Sequence, residues 1–121
     1  MAKRTGALNA ILLRLIMELK EKSAEQNVGI WRRIAYELEK PTRQRRIINL
    51  SRIDRYAKDD EVIIVPGKVL GAGTLSHRLT IAAYQFSQSA REKLEKSGSK
   101  IMTLSELIKE NPTGKGVRII G

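Results

Sequence analysis

Residues Val62 to Gly73, VIIVPGKVLGAG, restrict the possible folds more than any other stretch of this chain. Val62, Ile63, Ile64 and Val65 are all β-branched, and Asp59-Asp60-Glu61 bounds them on one side. A short β-branched run of this kind predicts a buried strand. Pro66-Gly67 is expected to break its hydrogen-bond ladder, because proline lacks an N–H and glycine admits positive φ. Val69-Leu70 is a second apolar step and Gly71-Ala72-Gly73 a second turn. This reading places the Lys68 ammonium at a tight turn, where outward backbone N–H groups suit a phosphate.

The flanking sequence predicts a mixed α/β chain: N-terminal helices, then a small body of short strands alternating with short helices. Thr5 opens a helix to about Gln26, with Leu8, Ile11, Leu12, Leu15, Ile16 and Leu19 on one wide stripe. Leu13 and Met17 lie off that stripe, which favours a helix packed on two sides over a membrane-surface or partner-binding helix. A second helix runs from Ile30 to about Lys40, stopped by Pro41. Ile30, Trp31, Ile34, Ala35 and Leu38 share its inner face, Arg32 and Arg33 point away, and Tyr36 lies on the polar side. Trp31 is read as core rather than as a base-stacking platform.

Thr42 to Arg46 has no apolar period and reads as a loop or extended arm. Ile47-Ile48 is expected to return to the core, and Asn49 to cap a short helix, Leu50 to Ala57, from which Arg52 and Arg55 project. Leu79 to Phe86 reads as a strand. Ser87 or Ser89 caps the next helix, with Ser89 and Glu92 at capping-box spacing, and Gly98 ends it. Lys100-Ile101-Met102 is a strand, Thr103 and Glu106 again have capping-box spacing, and Val117 to Ile120 is the last strand. Residues 1–121 are expected to form a single domain, with 1–46 as helical arm and basic loop and 47–121 as compact body.

Composition enters through charge. The formal net charge is +10, and a globular domain this basic usually meets a polyanion. Between Lys40 and Lys58 stand seven basic residues against the single acid Asp54, which is +6 within 19 residues. Aromatic residues are only 4%, which argues against a single-strand stacking platform. Cysteine is absent, so there is neither a disulfide framework nor a thiolate metal site. No apolar run approaches the roughly 18 residues needed to span a bilayer. Met1-Ala2-Lys3-Arg4 leads into no apolar region of the secretory kind, so a reducing, cytosolic setting is expected.

Enzymatic chemistry is poorly supported. A phosphate-binding P-loop needs Ser or Thr after its lysine, and Val69 follows Lys68. A dinucleotide fingerprint fails because its third glycine position is Ser76. His77 is the one histidine, with no carboxylate or thiol adjacent to it in the sequence; beside Arg78 it suits phosphate contact or solvation better than a metal. No acid pair stands out as general acid and base.

The segments KPTRQRRIINLSRIDRYA, VIIVPGKVLGAGTL, TIAAYQFSQSAREKL and NPTGKGVRI occur in that order over nearly the whole chain. They resemble the archaeal and eukaryotic large-subunit ribosomal protein eighteen of the e type, a family similar to the C-terminal part of bacterial large-subunit ribosomal protein fifteen. The resemblance implies N-terminal helices with a body of short, irregular β-β-α turns. It implies a structural constituent of the large ribosomal subunit, with ribosomal RNA and neighbouring ribosomal proteins as partners. It implies no catalysis, cofactor, small-molecule substrate or membrane. Its basic signature falls on Lys40, Arg43, Arg45, Arg46, Asn49 and Arg52, and its glycine-rich one on Pro66, Gly67, Lys68, Gly71 and Gly73. Charge and position add Lys3, Arg4, Arg32, Arg33, Arg55, His77, Arg78, Lys115 and Arg118 as candidate RNA contacts. Rival readings are a free RNA chaperone, a phosphate-handling enzyme using the glycine turn, and a membrane-surface protein using the first helix. Changing Arg43, Arg45 and Arg46 together to Ala is expected to flatten the salt slope of RNA binding by roughly 2 to 3.

Overall fold

A computed structural model describes residues 6–41 and 45–120. The readings of Thr5 as a cap, and of Lys3, Arg4 and Arg43 as RNA contacts, lie outside the described residues, and so does the side chain of Leu8. Among the described residues the order is α1 (Gly6–Gln26), α2 (Ile30–Glu39), β1 (Arg46–Asn49), α3 (Leu50–Tyr56), β2 (Val62–Leu70), β3 (Thr80–Phe86), α4 (Gln88–Lys96), β4 (Lys100–Thr103), α5 (Leu104–Glu110) and β5 (Val117–Ile119). This is the mixed α/β pattern expected, helices first and then strands alternating with helices.

All strand pairs are parallel, in the order β1-β2-β3-β4, and β5 also pairs with β2. Strand β2 is the spine. Its first half pairs with β5 (Val62↔Val117 to Ile64↔Ile119) and its second half with β1 (Gly67↔Arg46 to Leu70↔Asn49) on the same edge. Pro66-Gly67 does not end the strand, contrary to expectation. On the β1/β5 edge Pro66 falls in the gap between the two partners, and on the β3 edge the register shifts between Val65 and Lys68. The missing N–H therefore leaves no ladder position empty, and the chain passes through as a bulge. Lys68 consequently sits on a strand, exposed, and not at a tight turn.

Both faces of the sheet are covered, which is why its central strands read as unbroken apolar runs. On one face Ile64, Ala82 and Met102 pack under Leu12, Ile16 and Leu19 of α1, Trp31, Ile34 and Leu38 of α2, and Leu104, Leu107 and Ile108 of α5. On the other, Ile63, Val65, Val69 and Ile81 pack under Leu50 and Ile53 of α3 and Ala90 and Leu94 of α4. Trp31 is fully buried, and its Nε1–H donates to Pro112 O at 2.6 Å. The second side expected for α1 is not packed: Leu13 and Met17 are both 60% exposed. Ile47, expected inward, is 59% exposed, while its neighbour Ile48 is buried. Successive side chains of a strand point to opposite faces, and at the edge strand β1 Ile48 joins the cluster under α3 and α4 while, among the described residues, no cluster covers the other face at Ile47.

The helix ends follow local chemistry. At the α1–α2 turn Asn27 takes a left-handed φ of 55° and the Ser23 hydroxyl donates to Val28 O. Thr103 and Glu106 form the expected capping box on α5. On α4 the cap is Ser87, whose Oγ accepts from Ala90 N at 3.1 Å, while Ser89 lies inside the helix. Gly98 at φ 79° closes α4, with Ser99 N–H donating to Leu94 O at 3.0 Å, the hydrogen bond of a Schellman ending.

Candidate nucleic-acid interface

The expected contact residues divide into those that hold the fold and those that face outward. Asn49 occupies the N-cap position of α3 but makes no side-chain cap bond; its Oδ1 instead accepts from Ala72 N at 3.2 Å. Ser51 N–H donates to Ala72 O at 3.1 Å. The Gly71–Gly73 turn is thus laced to the start of α3. A Cβ on Gly71 would overlap Ser89 Oγ, and one on Gly73, at φ 94°, would lie 2.5 Å from Ser51 Cβ. The bare faces of these two glycines therefore meet α4 and α3 of their own chain. Sequence reasoning missed Lys93, whose Nζ donates to both Gly71 O and Gly73 O at 2.7 Å. Nothing local signals this, because 20 or more residues separate the partners.

Two arginines expected to reach outward are partly committed inside the chain. Arg45 Nε–H reaches Leu38 O at 3.2 Å and Lys40 O at 3.1 Å, satisfying carbonyls at the end of α2, and its guanidinium lies 5.9 Å from the Tyr84 ring centre. Arg46 Nε lies 3.5 Å from Glu37 Oε1, and Lys40 Nζ lies 3.1 Å from the same oxygen. Glu37 is buried, and that oxygen has ionic neighbours but no hydrogen bond of good geometry. Lys40 also sits 5.4 Å from the centre of the exposed Tyr36 ring. Arg118 bonds Tyr56 O at 3.0 Å and pairs with Glu61 at 3.3 Å, tying β5 to the entry of β2. A hydrogen bond from the Lys58 amide, reinforced by Arg118, holds the Glu61 carboxyl below the usual carboxylate range.

His77, isolated in the sequence, is flanked in space by acids. Its Nδ1 is 2.8 Å from Asp59 Oδ1 and its Nε2 is 3.7 Å from Asp54 Oδ1. The hydrogen bond to Asp59 raises the imidazole pKa. Asp54 in turn is lowered by hydrogen bonds from the Ser76 amide and hydroxyl. Among the described residues no group of three or more His, Asp or Glu side chains is placed so that it could hold a metal ion.

The outward set is Arg32 and Arg33 on α2, Arg52 and Arg55 on α3, Lys68 on β2, Arg78 before β3 and Lys115 before β5, all exposed. Among the described residues no carboxylate lies within 4.0 Å of any of these seven cations. Because α2 and α3 cover opposite faces of the sheet, Arg32 and Arg33 lie on a different layer from Arg52 and Arg55. Arg52 is 5.5 Å from the Tyr56 ring centre, an arrangement that holds a guanidinium without neutralising it.

A parallel α/β sandwich of this size, with unpaired guanidinium and ammonium groups and no metal-ligating cluster among its described residues, defines the class: a basic scaffold suited to a polyanion. The family follows from comparison. Residues 2–121 match the family described as ribosomal protein 60S L18 and 50S L18e, and the chain belongs to that family. It is similar to proteins named large ribosomal subunit protein eL18 from three archaea. Identity is 47% over 120 residues with that of Methanoregula boonei, 45% over 120 with that of Sulfurisphaera tokodaii, and 42% over 120 with that of Methanothermobacter thermautotrophicus. These alignments cover 99% of this chain and 98% or 99% of each relative. As a member of this family the chain is a structural constituent of the large ribosomal subunit and not an enzyme. No helix among the described residues is long and apolar enough to cross a membrane.

Proposed function

We propose that this protein, acting as one domain, binds large-subunit ribosomal RNA through its basic surface and stabilises the tertiary fold of that RNA. The observation that carries the reading is the set of exposed cations without carboxylate partners among the described residues, foremost Arg52, Arg55 and Lys68. Each phosphate they neutralise releases a condensed counterion, so affinity falls steeply with salt. Folded RNA helices hide their base edges in a deep groove, so recognition is chiefly of shape and backbone. Neighbouring proteins of the large subunit complete its surroundings.

The test is the salt dependence of binding to large-subunit ribosomal RNA. Changing Arg52, Arg55 and Lys68 together to Ala should flatten the slope of log K against log salt by roughly 2 to 3. Stability should hardly change, because all three side chains are exposed. Changing Arg45 and Arg46 to Ala should cost stability as well, since Arg45 satisfies the end of α2. An unaltered slope in the first variant rejects these three cations as phosphate contacts.

A further inference from the structure

On the sheet, Ile47 is a residue that neither the core nor phosphate binding explains. It is a large aliphatic side chain, 59% exposed on a strand, with cations around it. Register shows what stands beside it: Ile47 pairs with Lys68, and Lys68 pairs with Gln85. Paired residues on adjacent strands project from the same side of a sheet, so the three form a row across β1, β2 and β3. All three are exposed. With two strand spacings between its ends the row is roughly 10 Å wide, enough for one base and its ribose. The shallow pocket over it is also lined by Arg45, Arg46 and Tyr84, which makes three cations and no carboxylate.

We propose that this row is a seat for one unpaired nucleotide of the bound RNA. The inference rests on the RNA-binding reading above and assigns that reading a specific contact. A duplex offers this patch only phosphates and ribose, and would leave the Ile47 side chain facing charged groups and water. An unpaired nucleotide brings an apolar π face together with its phosphate. Ile47 lies under the base, Lys68 takes the phosphate, and the Gln85 amide, with both donor and acceptor, meets the base edge. The three cations favour a nucleic acid over an apolar protein segment as occupant.

The experiment is Ile47→Lys in the full chain, with Ile47→Ala and Gln85→Ala beside it, binding large-subunit ribosomal RNA. Ile47→Lys adds a positive charge at an exposed site, so pure backbone electrostatics demands tighter binding and a steeper salt slope. Nucleotide seating demands the opposite: weaker binding, by no more than the roughly 5- to 150-fold that a base stacked on an aromatic ring is worth, because an aliphatic face stacks less well. Base-specific chemical probing should show one base protected by the wild type and reactive with Ile47→Lys. Backbone cleavage protections elsewhere should persist, and thermal stability should be unchanged. Tighter binding by Ile47→Lys, or no base changing its reactivity, overturns the seat. Unchanged RNA affinity with poorer incorporation into reconstituted subunits also overturns it and assigns the patch to a protein neighbour. Wild-type protein that fails to bind the RNA would instead sink the RNA-binding reading itself.

Discussion

Trp31→Phe isolates the contact that closes the chain on itself. Trp31 lies in the fully buried layer between α2 and the sheet, and its indole N–H reaches Pro112 O, 81 residues away. Phenylalanine keeps an aromatic ring but loses the second ring and the donor. The lost hydrogen bond contributes about 1 kcal/mol; Pro112 is half-buried, so water can recover part of the carbonyl's demand. The removed ring leaves roughly 35 to 40 Å³ of cavity, which at the measured cost per unit volume is about 0.9 kcal/mol. Its lost transfer from water adds about 1 kcal/mol. The sum is about 3 kcal/mol, and for a domain of this size that lowers Tm by about 10 to 12 °C. Thermal and urea unfolding followed by far-ultraviolet circular dichroism measure it. A shift below about 3 °C would refute the reasoning. A preserved Tm with weakened RNA binding would mean that Trp31 stacks on RNA and is not a core residue.

Three further expectations concern charges. Glu37→Gln should weaken RNA binding even though it raises the net charge by one, because the buried carboxylate holds Arg46 and Lys40 in place; Glu39→Gln, at an exposed acid paired with Lys20, is the charge control. Tighter RNA binding by both variants would remove the positioning role of Glu37. His77 should titrate above its ordinary value of about 6.5, because the protonated ring is hydrogen-bonded to Asp59. A raised folded pKa means that its contribution to stability is complete below the unfolded value and fades as pH rises through the folded one. An NMR titration and the pH dependence of Tm for wild type and His77→Gln check this, and parallel curves for the two proteins would contradict it. Lys93→Met should cost about 1 to 2 kcal/mol by removing two charge-assisted hydrogen bonds that are partly open to solvent. It should also speed amide exchange at Gly73 and Thr74, and unchanged exchange there would show that the turn does not depend on this lysine.

Local signals carried the secondary structure. The period of α2, the Thr103–Glu106 box, Gly98 and the β-branched run of β2 each act within a few residues, so propensity and spacing were enough to place them. The family was legible for the same reason, since its motifs are contiguous strings. Errors arose where tertiary context outweighed a local rule. Pro66 is tolerated in β2 because its partners on one edge happen to stop on either side of it. Asn49 stands at a cap position, yet its side chain serves a turn 23 residues away.

Taken alone, the amino-acid order determined the helices, the later strands, the excess of positive charge and the family, but neither β1 as a strand nor the passage of β2 through Pro66. Only the folded chain decided the sheet order, which member of Ile47-Ile48 faces out, and which cations are committed. Arg45 and Arg46 acquire partners on α2, Lys93 acquires the glycine turn, and His77 acquires two acids, all through chain crossings that no periodicity encodes. The physical reason is range. Backbone preference and capping act over a few residues, whereas the availability of a charge depends on whatever the rest of the chain brings within about 4 Å of it.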